Sequence, residues 1–166
     1  MSAVAVIVAL VAAERAAELI HAARNTRALL ARGGVEAGAG HYPLLVLLHG
    51  AWLAALLFLV PADTPPSWSW LGAFALLQAL RLWIIQSLGP FWTTRIITLP
   101  DAPLVRSGPY RFLRHPNYVV VAAEIAVLPL AFGAWRIAAI FLVLNLALLA
   151  WRIRIEERAL APRALC

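Results

Sequence analysis

The chain has 166 residues, the size of one domain, of which 63% are hydrophobic and 13% are charged. This composition excludes an ordinary soluble domain, because most of the chain must face lipid or other parts of itself. The net charge of +6 comes from arginine alone, and we attribute it to cytoplasmic loops and not to a nucleic-acid-binding surface. The single cysteine, Cys166, excludes an intramolecular disulfide and a metal cluster built from thiolates.

Five apolar segments are predicted to be membrane-spanning helices, which makes the expected fold an all-α membrane protein. They cover residues 2–22, 43–60, 70–88, 117–132 and 134–151. The fourth is short, because a straight helix needs roughly 20 residues to cross a bilayer. Pro129 and the Phe132-Gly133 pair predict a tight turn after it, so the last two segments are expected to form a helical hairpin.

The distribution of arginines predicts the orientation of the chain. Eleven of the 14 arginines lie after the first span, after the third span or in the C-terminal tail, whereas the connection 61–69 has none. The positive-inside rule therefore predicts an outside N-terminus and a cytoplasmic C-terminus. The long connection 89–116 is too apolar for a disordered segment, so we expect it to fold over the cytoplasmic mouth.

Polar residues inside the predicted spans need partners or access to water. Arg81 is expected to point into the bundle, where it either binds a ligand or pairs with Glu14. Glu18 and His21 are interpreted as side chains that lie near the cytoplasmic interface and reach water from there.

Glu124 also lies within a predicted span and is expected to pair with Arg152 or its neighbours on the last helix. That pair either ties the hairpin together or contacts a cofactor. His41 and His49 flank the second span, and a lone histidine is usually a hydrogen-bonded structural residue. No histidines have the spacing of metal ligands with a third ligand nearby, so no metal site is predicted.

The densest polar motif, residues 108–118, stands directly before the fourth span and contains two arginines, one histidine and two tyrosines. Pro116 suits the first turn of a helix, where free N–H groups can hold an anion. On a continued last helix, Arg152 and Glu156 are one turn apart. Such a segment alone is typical of a solvated helix end, but the predicted topology puts it beside the polar motif, which favours one shared site.

These segments resemble the isoprenylcysteine carboxyl methyltransferase family of membrane methyltransferases. The resemblance rests on Gly108-Pro109-Tyr110, the run 114–118, the hairpin and Arg152-x-x-x-Glu156-Glu157, and its core covers about residues 104–160. Residues 32–36, 41–43 and 91–97 are similar to the small bacterial branch, so the likeness spans most of a single domain, 1–166. Members of that branch are often encoded beside type III polyketide synthases and methylate alkylpyrones or phenolic lipids.

The resemblance implies S-adenosylmethionine as the methyl donor. It implies that the donor is bound by Val105, Gly108, Tyr110, Arg114, His115, Pro116, Tyr118 and Glu157. It also implies Arg152 and Glu156 as catalytic residues: Arg152 would orient an anionic acceptor, and Glu156 would take the proton of a less acidic resorcinol hydroxyl.

The expected acceptor is a lipophilic small molecule whose tail enters sideways from the bilayer. The substrate candidates are Arg81, Trp83, Phe91, Trp92 and Glu124, although interfacial anchoring is the alternative role of the aromatic residues. Membrane lipid and a lipid-producing polyketide synthase are the expected partners. The alternatives left open are a prenylcysteine methyltransferase, an NADPH-dependent membrane reductase and a non-catalytic lipid-binding protein.

Overall fold

The computed structural model describes residues 2–99, 102 and 105–161, so Cys166 lies outside the described residues. Each of the five predicted helical segments corresponds to one observed helix. The helices are α1 (Ala3–Ala31), α2 (Tyr42–Leu59), α3 (Trp68–Leu88), α4 (Pro116–Leu130) and α5 (Trp135–Leu160). The mostly helical fold is therefore confirmed.

A small antiparallel sheet corrects the all-α expectation. Strand β1 (Val35–Ala37) lies between α1 and α2, and β2 (Ile96–Thr98) lies in the connection after α3. Glu36 is opposite Ile97 in the register. Strands of three residues show too little alternation to be recognised from sequence, and here they tie two distant connections together at one end of the bundle.

Three of the helical segments in the described part of the chain are long and apolar enough to cross a membrane, namely Ala39–Leu59, Trp68–Phe91 and Trp135–Leu160. Helix α4 has 15 residues, or about 22 Å at 1.5 Å per residue, and is shorter than a full span. Helix α1 is long enough but carries charged residues in its middle. These three helices are the candidate membrane spans among the described residues, and crossing by α1 and α4 stays a prediction.

The predicted hairpin between α4 and α5 is confirmed. Gly133 has a φ of 66°, a left-handed conformation that favours glycine, and α5 begins two residues later. Pro129 has no N–H to bond the carbonyl of Ile125 one turn earlier. The indole of Trp52 in α2 donates to that carbonyl at 3.2 Å, so α2 packs where the backbone ladder of α4 is incomplete.

Two apolar clusters form the interior of the bundle. The larger includes Val8 of α1, Leu56 of α2 and Leu128 of α4, and the smaller includes Ala22 of α1 and Ile84 of α3. In the sequences of α1 and α3, polar residues lie between the positions of the two clusters. Together with one residue of α4 they form what we call the buried charged layer, which consists of Glu14, Arg15, Glu18, Gln78, Arg81 and Glu124. Arg81 and Glu124 are buried, and the other four residues are partly buried.

The buried charged layer is closely paired. Arg81 donates to both carboxylate oxygens of Glu18, at 2.5 and 2.6 Å, and to Glu124 at 3.2 Å. Arg15 reaches the same Glu124 oxygen at 2.9 Å and Glu18 at 3.1 Å. Glu14 accepts a hydrogen bond from Gln78. Three helices are thereby joined by ion pairs in the middle of the bundle.

These pairs correct three expectations. Arg81 pairs with Glu18 and Glu124 and not with Glu14. The partly buried Glu18 side chain, 10% exposed, is held in ion pairs with Arg15 and Arg81. Glu124 pairs with arginines of α1 and α3 and not with Arg152, because its face of α4 is turned toward those helices. His21 is exposed, as expected.

Candidate functional site

A cavity of about 970 Å³ opens at the end of the bundle where α3 and α5 finish and α4 begins. Its lining includes six of the predicted donor-binding residues, both predicted catalytic residues and two of the substrate candidates. They are Val105, Tyr110, Arg114, His115, Tyr118, Glu157, Arg152, Glu156, Phe91 and Trp92. The structure therefore brings together the polar motif and the C-terminal segment that the sequence predicted to meet.

The segment before α4 is held against α3 by a glycine. Gly108 begins a short 3₁₀ helix, Gly108–Arg111, with a φ of 55°, and a Cβ atom there would lie 2.1 Å from the Ser87 hydroxyl. Only glycine fits this approach without movement of its neighbours. Gly108 is not among the residues that line the cavity, and its donor-binding role stays a prediction.

Pro116 and Trp83 lie away from the cavity. Pro116 is the first residue of α4, as predicted, and lines a separate apolar groove of about 190 Å³ together with Trp83 and Val119. The groove and the cavity are lined by different faces of the same stretch of chain. Neither Pro116 nor Trp83 is among the residues that line the larger cavity.

Tyr118 connects the two predicted catalytic residues. Its hydroxyl accepts a hydrogen bond from Arg152 Nε at 2.7 Å and donates one to the Glu156 carboxylate. Arg152 and Glu156 are one turn apart on α5, and Tyr118 faces both from the first turn of α4. The sequence placed Tyr118 with the donor-binding residues, but its hydroxyl bridges the catalytic pair.

Arg152 is held on its other side by two groups that the sequence did not associate with it. Its Nη1 atom donates to the carbonyl of Thr94 at 2.9 Å and lies 3.2 Å from Nε2 of His41. Arg152 is 7% exposed, and its guanidinium also lies over the Tyr118 ring, 5.6 Å from its centre. Nη2 has no protein hydrogen-bond partner among the described residues, so it is the nitrogen left for a ligand.

His115 lies between the aromatic and acidic sides of the cavity. Its ring stacks on Tyr118 with centres 5.3 Å apart and an interplanar angle of 16°. Its two nitrogens lie 3.9 Å from Glu156 and 3.7 Å from Glu157. Glu157 is more than half exposed and stands near the cavity entrance, where it can meet a positively charged group.

Positive charge prevails in the cavity. Among the described residues, five arginines and two glutamates line it, and one of the arginines, Arg95, is paired with Glu36 at 3.0 Å. Burial, with a smaller contribution from Glu156, raises the pKa of the Tyr110 phenol above its ordinary value, so Tyr110 stays neutral. The cavity is therefore suited to molecules that carry an anionic group.

Besides Trp83, two further predicted substrate residues do not line the cavity. Arg81 and Glu124 are in the buried charged layer, where they are bonded to each other. Trp92 separates that layer from the cavity, because it lines the cavity while the Arg81 guanidinium lies 5.9 Å from its ring centre. In the described part of the chain, no three His, Cys, Asp or Glu side chains are grouped as metal ligands.

The fold and this site define a class: a helical membrane protein with a polar, cationic cavity at one end of its apolar helices. The model of the isoprenylcysteine carboxyl methyltransferase (ICMT) family matches residues 70–162, and the chain belongs to that family. It is a family of membrane methyltransferases whose members use S-adenosylmethionine as the methyl donor.

Two relatives extend the similarity beyond the region of that match. An uncharacterised protein of Bacillus subtilis, YpbQ, is 37% identical over 93% of this chain and 94% of its own length. An uncharacterised protein of Haemophilus influenzae is 30% identical over 83% of each chain. No solved structure matches.

Proposed function

We propose that the chain is an S-adenosylmethionine-dependent O-methyltransferase that acts on a lipophilic acceptor with an acidic enol or phenol, such as an alkylpyrone or alkylresorcinol. The observation that carries the proposal is the hydrogen-bonded series Arg152–Tyr118–Glu156 in the cavity, with His115 and Glu157 beside it. Membership of a methyltransferase family supports the reaction class.

The residues of the cavity fit the donor. S-adenosylmethionine carries a carboxylate, an ammonium, an adenosine and a sulfonium whose methyl group is electrophilic. Arg114 can pair with the carboxylate, and the exposed Glu157 can accept from the ammonium or the ribose hydroxyls. Tyr110 and the stacked rings of His115 and Tyr118 offer aromatic surface to adenine or the sulfonium.

The size of the cavity allows a second molecule beside the donor. Small-molecule pockets usually measure about 300–1,000 Å³, and this cavity, at about 970 Å³, is at the upper end of that range. Phe91, Trp92 and Val105 supply apolar lining, and Arg152 and Glu156 supply polar lining. This combination suits an acceptor with a polar head and an apolar tail.

The chain's residues have distinct parts in methyl transfer. Arg152 binds the acceptor oxygen through Nη2, stabilises its negative charge and aims it, which is the main task of a methyltransferase. An acidic enol arrives already ionised and needs no base. A resorcinol hydroxyl, with a pKa near 10, needs one, and the Glu156 carboxylate takes that proton directly or through the Tyr118 hydroxyl.

The excess of arginine in the cavity favours the more acidic acceptors. A donor with a net positive charge adds to the positive potential of a cavity whose described lining already has five arginines and two glutamates. An anionic acceptor lowers the electrostatic free energy of the loaded site, whereas a neutral phenol does not. An alkylpyrone enolate is therefore favoured over a neutral resorcinol.

The active site is placed on the cytoplasmic side in this proposal, with the N-terminus outside. The arginine-rich connections and the cavity lie at the same end of the helices, which supports the orientation. Reporter fusions after Arg32, Asp63 and Leu160 should be cytoplasmic, external and cytoplasmic, respectively. An external reporter after Leu160 contradicts the orientation and leaves the chemistry open.

The function is tested on protein purified in detergent with methyl-labelled donor. We expect S-adenosylmethionine to bind without added metal and label to appear in a long-chain 4-hydroxy-2-pyrone. Parallel reactions with an alkylresorcinol and a farnesylated cysteine derivative separate the acceptor classes. Binding and oxidation of NADPH without donor binding would support a reductase instead, and binding of neither molecule would support a non-catalytic lipid-binding protein.

A further inference from the structure

His41 lies at the end of a 3₁₀ turn, Ala39–His41, directly before α2, in a part of the chain that precedes the family match. Its side chain is 2% exposed and does not line the cavity, so it cannot touch a ligand there. Its Nε2 atom nevertheless lies 3.2 Å from Nη1 of Arg152.

The chemistry of the contact fixes the state of the imidazole. A guanidinium has only N–H donors, so Nε2 of His41 must be the acceptor and the ring must be neutral with its proton on Nδ1. Nη1 of Arg152 has two hydrogens, and the carbonyl of Thr94 takes the other at 2.9 Å. With Nε bonded to Tyr118, three acceptors determine the plane of the guanidinium.

The local fold is built to bring His41 to this place. Gly38 has a φ of 63°, and a Cβ atom there would lie 2.6 Å from the Ile155 side chain of α5. The segment before α2 can therefore approach α5 this closely only with glycine at position 38. The pairing of β1 with β2 holds the same segment beside Thr94, the other acceptor of Nη1.

We propose that His41 is a positioning residue: its neutral imidazole, with the Thr94 carbonyl, holds the guanidinium plane of Arg152 so that Nη2 faces the acceptor oxygen. The inference rests on the proposed function, in which Arg152 binds that oxygen. His41 adds no charge and contacts no substrate. Its loss leaves Arg152 in place but lets the guanidinium rotate, and misplacement of a reacting group slows catalysis more than it weakens binding.

Two substitutions at this position separate acceptor chemistry from packing. His41→Phe keeps an aromatic ring edge-on to Trp151 but removes the acceptor. His41→Gln keeps an acceptor oxygen at a similar reach. We expect kcat in the Phe variant to fall roughly tenfold to a hundredfold, with donor Kd and acceptor KM within about twofold of wild type, and the Gln variant to recover most of the rate.

His49→Phe is the matched control, because His49 is also a histidine of the α2 region, but its one hydrogen bond within the described part of the chain is to the Leu45 carbonyl of its own helix. It should leave kcat near that of the wild type. Wild-type kcat in His41→Phe overturns the inference. Equal losses of kcat and thermal stability in the Phe and Gln variants overturn it too, because they show that His41 only supports packing.

A second measurement does not depend on turnover. In ¹⁵N–¹H spectra of arginine side chains, with the Arg152 signal assigned from Arg152→Lys, two bonded Nη1 hydrogens should exchange slowly in wild type and quickly in His41→Phe. Unchanged Arg152 exchange in His41→Phe overturns the inference even if methyl transfer is found. Absence of methyl transfer in wild type removes the proposed function, while the spectra still report whether His41 orients Arg152.

Discussion

Arg81 and Arg152 are both buried arginines that meet glutamate-containing clusters, yet their surroundings differ. In the buried charged layer, all three nitrogens of Arg81 donate to carboxylates, those of Glu18 and Glu124. In the part of the chain that the structure describes, Arg152 bonds neutral acceptors: the Tyr118 hydroxyl, the Thr94 carbonyl and His41. The residue type alone does not show whether a buried arginine supports the fold or belongs to the candidate site. The charge of the groups to which it donates hydrogen bonds distinguishes the two cases.

This difference has an energetic meaning. A buried ion pair repays much of its desolvation cost but often stabilises no more than apolar residues of the same volume would. A buried cation bonded to neutral groups keeps its charge available for a ligand. The layer is thus a rigid support that joins α1 to α3 and α4, whereas Arg152 is held ready for an anion.

The largest effect is expected from breaking the buried charged layer. Arg81→Ala leaves Glu18 and Glu124 with fewer cationic partners in the apolar bundle, and removal of one partner from a buried pair costs about 3–5 kcal/mol. We expect a large loss of folded protein in detergent, measured by thermal or denaturant unfolding. Arg136→Ala is the control, because Arg136 is exposed near the start of α5.

An Arg81→Ala variant as stable as Arg136→Ala would contradict the assignment of the layer to structure. In that case the charge of Arg81 would be unnecessary for folding, and its part in ligand binding would have to be reconsidered.

The next effect is on catalysis at Arg152. Arg152→Ala removes the donor that is left free for the acceptor oxygen, and loss of such a donor costs about 10²–10³ in kcat. Donor affinity should change little, because Arg152 is not among the residues proposed to hold S-adenosylmethionine. Arg152→Lys should recover little activity, since an ammonium cannot make the planar set of bonds to Tyr118, Thr94 and His41.

Arg154→Ala is the matched control for Arg152→Ala. Arg154 lies half a turn away on the same helix and is exposed, so its removal should leave kcat and donor affinity close to wild type. Equal losses of kcat in the two variants would mean that the rate depends on positive charge at this end of α5 in general, and not on the position of Arg152.

A smaller effect is expected at Tyr118. Tyr118→Phe keeps the ring that stacks on His115 but removes the hydroxyl between Arg152 and Glu156. Each of the lost hydrogen bonds to a charged group is worth about 1.5–3 kcal/mol at most. Rearrangement of Arg152 and Glu156 recovers part of this free energy, so we expect kcat to fall roughly tenfold. The fall should be larger with a resorcinol than with a pyrone, which needs no proton removed. Equal falls with both acceptors would exclude Tyr118 from proton transfer.

Sequence reasoning predicted the parts of this molecule that depend on local pattern. The five helices followed from apolar runs, and the hairpin followed from Pro129 and the Phe132-Gly133 turn. The meeting of the polar motif with the end of α5 followed from arginine counts, because the positive-inside rule assigns both to one side of the membrane. The roles assigned to the residues that meet there stay predictions.

The partners of individual side chains could not be predicted in the same way. Helical periodicity says which residues share a face but not which neighbouring helix that face meets, so Glu124 was assigned to α5 although it faces α1 and α3. His41 meets Arg152 across 111 residues, through a sheet of three-residue strands. No local signal in the sequence records either contact.

The smallest effect is expected at Glu157, the most exposed acidic residue of the cavity. Its side chain is 55% exposed, so water screens its charge, and exposed ion pairs contribute about 0.2–1 kcal/mol. Glu157→Gln should therefore weaken S-adenosylmethionine binding only a few-fold, with kcat at saturating donor unchanged. Titration calorimetry at low and high salt measures the donor Kd of both proteins. High salt screens the charge of Glu157, so it should shrink the difference in Kd between variant and wild type. If Glu157→Gln lowered kcat as much as Arg152→Ala does, a role of Glu157 in donor binding alone would be contradicted, because this exposed carboxylate would then act on the reaction itself.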